Sequence, residues 1–123
     1  MAQILIVEDE QALHEAYKMI LEKENHTVYS AFNGQEALDV LGKETPDLIL
    51  LDLRMPKMNG LDFLRKFDKQ SQNIKIIIFS NFDAQQEIEE AYKLGADRYI
   101  LKAWASPKEL VKVVNDELVQ EEA

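Results

Sequence analysis

The sequence predicts an α/β fold in which five βα repeats wind doubly into a three-layer sandwich, with helices on both faces of a five-stranded parallel sheet. Three observations predict it. Five short β-type runs alternate strictly with five stretches of helical spacing. Two of the runs, Leu48 to Leu51 and Ile76 to Phe79, are apolar at every position, as strands covered on both faces are. Four of the five runs end in polar or reactive groups, Glu8-Asp9, Asp52, Ser80 and Lys102, and right-handed crossovers bring such ends to one edge of the sheet.

Gln3 to Val7 is short, apolar and bounded by Glu8-Asp9-Glu10, which makes it the first strand. Leu13, Ala16, Tyr17, Ile20 and Leu21 recur at helical spacing and form the inner face of the first helix. Taken singly, Asp9 is most simply the N-cap of that helix, a role compatible with ligating a metal. Thr27 to Ala31 is β-branched and aromatic, the second strand. Asn33 can cap the second helix, whose apolar face is Ala37, Leu38 and Leu41. Leu48 to Leu51 is the third strand, after which Pro56 and Gly60 force a turn. Leu61, Leu64 and Phe67 face inward from the third helix, and Ile76 to Phe79 is the fourth strand. Asp83 can cap the fourth helix, Ile88, Ala91 and Leu94 face inward from it, and Gly95 stops it. Arg98 to Leu101 is the fifth strand. Ser106-Pro107-Lys108-Glu109 supplies a capping-box serine, a proline at the first helical position and a glutamate three residues after the cap. Leu110, Val113, Val114 and Leu118 then form the stripe of the fifth helix.

The chain has 123 residues, a length that points to a single domain spanning 1–123. Hydrophobic residues make up 46% and charged residues 30%, an ordinary globular mix. No cysteine is present, which excludes disulfides and cysteine metal sites and suits a reducing, cytoplasmic setting. No apolar stretch approaches the roughly 20 residues of a membrane helix, and Met1-Ala2-Gln3 lacks the basic start of a signal peptide. The formal net charge of −9 argues against direct nucleic-acid binding, since phosphate contacts need Lys and Arg.

Three carboxylates at one rim repel each other and either share protons or hold a cation. Magnesium suits such a site because it prefers oxygen ligands, keeps waters and pairs with phosphoryl groups. A lysine and a hydroxyl at the same place would bind further anionic oxygens. Such a set describes a phosphoryl group seated on a carboxylate, because phosphoryl transfer needs mostly positioning and charge neutralisation.

Over nearly the whole chain, Gln3 to about Leu118, this arrangement closely resembles the receiver domain of two-component response regulators. The motifs that carry the resemblance are the acidic pair Glu8-Asp9, Asp52 followed by Met55-Pro56 and Gly60, the hydroxyl of Ser80 and the lysine Lys102. The resemblance implies a flavodoxin-like sheet of order 2-1-3-4-5. It implies Asp52 as phosphoacceptor, with Asp9, Asp52 and the backbone carbonyl of Arg54 on Mg2+ (or Mn2+) and Glu8 reaching it through water. It implies Ser80 and Lys102 on phosphoryl oxygens, Tyr99 as a switch aromatic that follows Ser80, and an output surface of the fourth helix, fifth strand and fifth helix. The donor would be a histidine kinase or a histidine phosphotransfer protein. The recipient of the signal would be an effector protein or an output domain outside this sequence, which would make the chain a stand-alone receiver or part of a longer regulator. Such a module is expected to catalyse its own phosphorylation and not to turn over as an enzyme. Removing one of three repelling carboxylates by Asp52→Asn is expected to raise the melting temperature without metal.

The chain departs from the family pattern in four places. Asn81 follows Ser80 where alanine or glycine is usual, which would narrow access to Asp52. Ala103 follows Lys102 where proline is usual, and the cost of a cis bond before alanine, about 2.5–4 kcal/mol, favours a trans bond and a re-routed loop. Arg54 and Phe82 flank the path of the hydrolytic water, and Arg54 could pair with an acid on a partner or modulate phosphoryl lifetime. Arg98 and Val113 leave the charge pairs of the winged-helix subgroup's dimer incomplete, and His14 and His26 are read as packed or exposed and uninvolved.

Three other functions compete. A phosphatase of the haloacid-dehalogenase type wants an aspartate where Arg54 stands. A flavin module would have its phosphate repelled by Glu8-Asp9-Glu10. A receiver-like protein-binding module that is never phosphorylated is kept open by Asn81 and Ala103.

Overall fold

The computed structural model describes residues 2–55, 58–67, 73–81, 85–102 and 106–122. Its elements are β1 (Gln3–Val7), α1 (Gln11–Lys23), β2 (Thr27–Ala31), α2 (Gly34–Leu41), β3 (Leu48–Leu51), α3 (Gly60–Lys66), β4 (Lys75–Ser80), α4 (Gln85–Lys93), β5 (Arg98–Leu101) and α5 (Pro107–Glu122). The strands lie parallel in the order β2-β1-β3-β4-β5, as the resemblance implies.

Strand side chains alternate between the two faces, and the core divides accordingly. Ile4, Ile6, Leu48, Leu50, Ile77 and Phe79 pack with Leu21 of α1 and with Leu110 and Val114 of α5. Leu5, Val7, Ile49, Leu51, Ile76 and Ile78 pack with Ala37 of α2, Phe63 of α3 and Ala91 of α4. A two-sided sheet therefore sits between α1 and α5 on one face and the other three helices on the opposite face. Among the described residues no helix is long and apolar enough to cross a membrane.

Several local expectations stand. Asn33 caps α2, its side chain accepting from the backbone N–H of Glu36 at 2.9 Å. The Ser106 hydroxyl accepts from the N–H of Glu109 at 3.3 Å. Gly95 takes a positive φ of 113° just after α4, a conformation glycine adopts without steric cost. The proposed cap at Asp83, the peptide bond before Ala103 and the place of Phe82 lie outside the described residues.

Other expectations need correction. Glu10, not Asp9, occupies the N-cap of α1, and no side chain caps that helix. Ala16 is exposed, while His14 is fully buried. The inner stripe of α1 is thus His14, Tyr17 and Leu21, spaced to face the sheet. The histidine is tolerated because its Nδ1 donates to the Glu8 carbonyl at 2.9 Å and its ring stacks on Phe32 at 4.3 Å. In α3 Leu64 and, just past the helix, Phe67 are buried as expected, and Phe63 is buried with them, stacked on Phe67 at 5.5 Å. His26 is buried too, accepting from the N–H of Ala2 and donating from Nε2 to Asn115 Oδ1, each at 3.1 Å. It ties α5 to the start of β1.

Candidate functional site

Backbone hydrogen bonds carry the sheet one residue past its strands. The N–H of Glu8 donates to Ala31 at 3.1 Å, and the N–H of Asp52 donates to Val7 at 3.0 Å. These bonds hold the two acids side by side at the C-terminal rim. There Glu8 is 3% exposed, Asp52 6% and Ser80 0%. Carboxylate oxygens of Glu8, Asp9 and Asp52 lie within 4.8 Å of one another.

Lys102 leaves the end of β5 and crosses to this cluster. Its Nζ is 2.5 Å from Glu8 Oε1 and 3.4 Å from Asp52 Oδ2. Burial pulls the lysine's pKa down, but its hydrogen bond to Glu8 and the charge of Asp52 outweigh that and raise it. Above the cluster opens a cavity of about 260 Å³ lined by Asp9, Glu10, Asp52, Arg54, Ser80, Asn81 and Lys102. Tyr99 packs half-buried against the core, and its side chain hydrogen-bonds to Ser80.

Glu8, Asp9, Asp52, Arg54, Ser80 and Lys102 thus meet at one rim, and Tyr99 reaches it through Ser80. Arg54 contributes its backbone N–H to Asp52 Oδ1 at 3.3 Å, and its guanidinium pairs with Glu87 of α4 at 2.7 Å. The acid foreseen for Arg54 on a partner is met within the chain itself. Three contributors were not singled out: Glu10, which lines the cavity, His14, which pins the Glu8 carbonyl, and Glu87. Glu10 was legible as part of an acidic run at a strand end. Nothing in the sequence marked the other two.

The family profile of the response regulator receiver domain matches residues 4–115. The chain belongs to that family. Phosphorylation on an aspartate is the family's function. The chain is 35% identical over 100 residues to Sporulation initiation phosphotransferase F of Bacillus subtilis, covering 81% of each. It is 35% identical over 116 residues to the nitrate/nitrite response regulator protein NarL of Escherichia coli, covering 93% of this chain but 53% of NarL. It thus spans about half the length of that relative. A receiver domain structure from Methanospirillum hungatei superposes with a TM-score of 0.93 at 30% identity, covering 99% of this chain and 97% of that one.

The receiver's acidic rim fits a hard divalent cation. Three oxygen donors converge and only one lysine answers them among the described residues, so the cluster keeps a net negative charge. Burial raises the pKa of Asp9 most, the neighbouring Glu8 charge raises it further, and a hydrogen bond from its own backbone and the Lys102 charge pull against them. An acid with a raised folded pKa destabilises the fold when ionised. Stability is fullest below the ordinary value of 3.8 and falls as pH rises through the raised one. A gain in metal-free melting temperature is therefore expected at Asp9 as well as at Asp52. At pH 7 without metal, Asp9→Asn is expected to melt slightly higher than wild type and to flatten the fall in stability above pH 4, measured by calorimetry across pH. An unchanged pH profile would mean that the repulsion is negligible.

Asn81 is exposed at the mouth of the cavity, where it can narrow the approach to Asp52. Asn81→Ala is expected to speed phosphorylation by acetyl phosphate several-fold. Equal rates would show that the side chain does not gate the site.

Proposed function

We propose that this receiver accepts a phosphoryl group on Asp52 from a phosphohistidine donor and relays the event through Ser80 and Tyr99 to the surface of α4, β5 and α5. The observation that carries the reading is the meeting of Asp52, Lys102, Ser80 and a three-carboxylate cluster at one mouth. An Asp52 carboxylate oxygen forms the new bond to phosphorus while the phosphorus–nitrogen bond of the donor breaks. The electron pair leaves with the imidazole nitrogen, which takes up a proton. Lys102 already touches both buried acids and has only to shift its ammonium onto a phosphoryl oxygen. The Ser80 hydroxyl donates to another oxygen, and Tyr99, hydrogen-bonded to Ser80, follows it. A magnesium (or manganese) ion held by Asp9, Asp52 and the Arg54 carbonyl, with Glu8 reached through water, would supply positive charge that neutralises the phosphoryl oxygens.

On this reading the module is a signalling domain, a single receiver acting in the cytoplasm, and it makes no nucleic-acid contact of its own. Its donor is a histidine kinase or histidine phosphotransfer protein. Its recipient is an effector protein or an output domain of a longer regulator, such as the remaining half of a NarL-like chain would supply.

Titration with beryllium fluoride and magnesium tests it, followed by calorimetry and by the fluorescence of Trp104, the chain's one tryptophan. Saturable binding that Asp52→Asn abolishes is expected. Absence of binding in wild type would favour a protein-binding module that acts without phosphorylation.

A further inference from the structure

Arg54 leaves the β3–α3 loop two residues after Asp52, and its Nη2 meets Glu87 Oε1 at 2.7 Å. Glu87 lies in the first turn of α4 and is distant in sequence, so this pair joins the loop after Asp52 to the helix that follows β4. The two side chains are 56% and 26% exposed. Ion pairs so open to water are weak, and a stronger anion can displace one partner. Arg54 also lines the cavity above Asp52, within reach of what enters it. Both Arg54 and Glu87 act electrostatically on the Tyr99 hydroxyl, which places the bridge beside the aromatic that meets Ser80.

We propose that the Arg54–Glu87 bridge is a tether which phosphorylation of Asp52 exchanges for an Arg54–phosphoryl contact, freeing the first turn of α4. The inference rests on Asp52 being the acceptor. A carboxylate carries one negative charge, whereas a phosphoryl group carries close to two and offers three acceptor oxygens. A guanidinium fork suits phosphoryl oxygens at least as well as a carboxylate and binds them more strongly as their charge rises. Phosphorylation therefore raises the competitor for Arg54 at the very loop that carries it. Arg54 would touch the phosphoryl group itself, and Glu87 is the positioning residue that holds it back. A separate ion pair, Arg65 of α3 with Glu90 of α4 at 3.7 Å, does not line the cavity and serves as an internal control.

The test is calorimetric titration of beryllium fluoride in magnesium into wild type, Glu87→Gln, Arg54→Ala, their double variant and Glu90→Gln. Glu87→Gln removes the competitor and is expected to tighten binding about threefold, the size of one exposed ion pair. Arg54→Ala is expected to weaken binding and to make Glu87→Gln silent in the double variant, while Glu90→Gln stays like wild type. Hydrogen exchange in the first turn of α4 is expected to quicken when wild type binds the mimic and to be fast already in Glu87→Gln. Wild-type binding with an unchanged Glu87→Gln, or a Glu87→Gln effect that persists without Arg54, would overturn the tether alone. No binding in wild type would overturn the acceptor reading and the tether together.

Discussion

Lys102→Met is expected to destabilise the metal-free protein by about 3 kcal/mol and to abolish detectable phosphorylation of Asp52. Methionine keeps most of the volume and removes the charge. The side chains of Lys102, Glu8 and Asp52 are 10%, 4% and 8% exposed, so the variant leaves two buried acids without their cation. Removing one partner of a buried pair costs about 3–5 kcal/mol, and the lower end applies because the cavity lets water reach the carboxylates. The wild type carries the same dependence on pH. A lysine whose folded pKa is raised contributes stability that is fully present below its ordinary 10.5 and is lost as pH rises through the folded value. Magnesium is expected to stabilise Lys102→Met more than wild type, since the ammonium no longer competes for the cluster. A variant that melts like wild type without metal would mean that the acids are not held together by Lys102.

Gly60→Ala is expected to lower the melting temperature by roughly 10 °C or more and to blunt the magnesium response. A β-carbon at Gly60 would stand 2.6 Å from the carbonyl oxygen of Asp52 and 2.8 Å from Leu53 Cα. Those are backbone atoms and cannot swing aside as a side-chain end would. Gly60 also donates its N–H to the Leu53 carbonyl at 2.9 Å, which fixes the start of α3 against the loop after Asp52. The strain therefore falls on the segment that carries Asp52, and stability and site suffer together. Gly42→Ala is the control. Gly42 has a φ of −73°, and its β-carbon would meet only helix carbonyls at 3.4 Å and beyond, so melting is expected to change little. Equal melting of the two variants would contradict the packing at Gly60.

The sheet was legible because its strands are unambiguous. The runs at Gln3–Val7, Leu48–Leu51 and Arg98–Leu101 have the expected bounds, and β4 is one residue longer at each end than its apolar run. The alternation of faces followed from the apolar pattern. The candidate site was legible because parallel strands deliver all their ends to one rim, so four separate sequence positions became one place. Helix faces were less legible. Apolar spacing placed Ala16 inward, yet the buried position is His14, whose Nδ1 is answered by the Glu8 carbonyl and whose ring stacks on Phe32. Glu117 shows the same limit: it is 4% exposed in the stripe of α5 because Arg98 of β5 pairs with it at 3.2 Å. Arg98 is thereby engaged within the chain. Pairings across long sequence separations, such as Arg54 with Glu87 and Lys102 with Glu8, depend on the folded geometry and leave no local pattern to read.

The central claim is that Asp52 takes up a phosphoryl group. Incubation with a phosphoramidate donor and magnesium, followed by intact-mass spectrometry and peptide mapping, tests it most directly. The expected result is the mass of one phosphoryl group on wild type, carried on the peptide containing Asp52, cleaved by hydroxylamine as an acyl phosphate is, and absent from Asp52→Asn. A phosphoryl group that persists in Asp52→Asn, or a wild type that gains none, would contradict it.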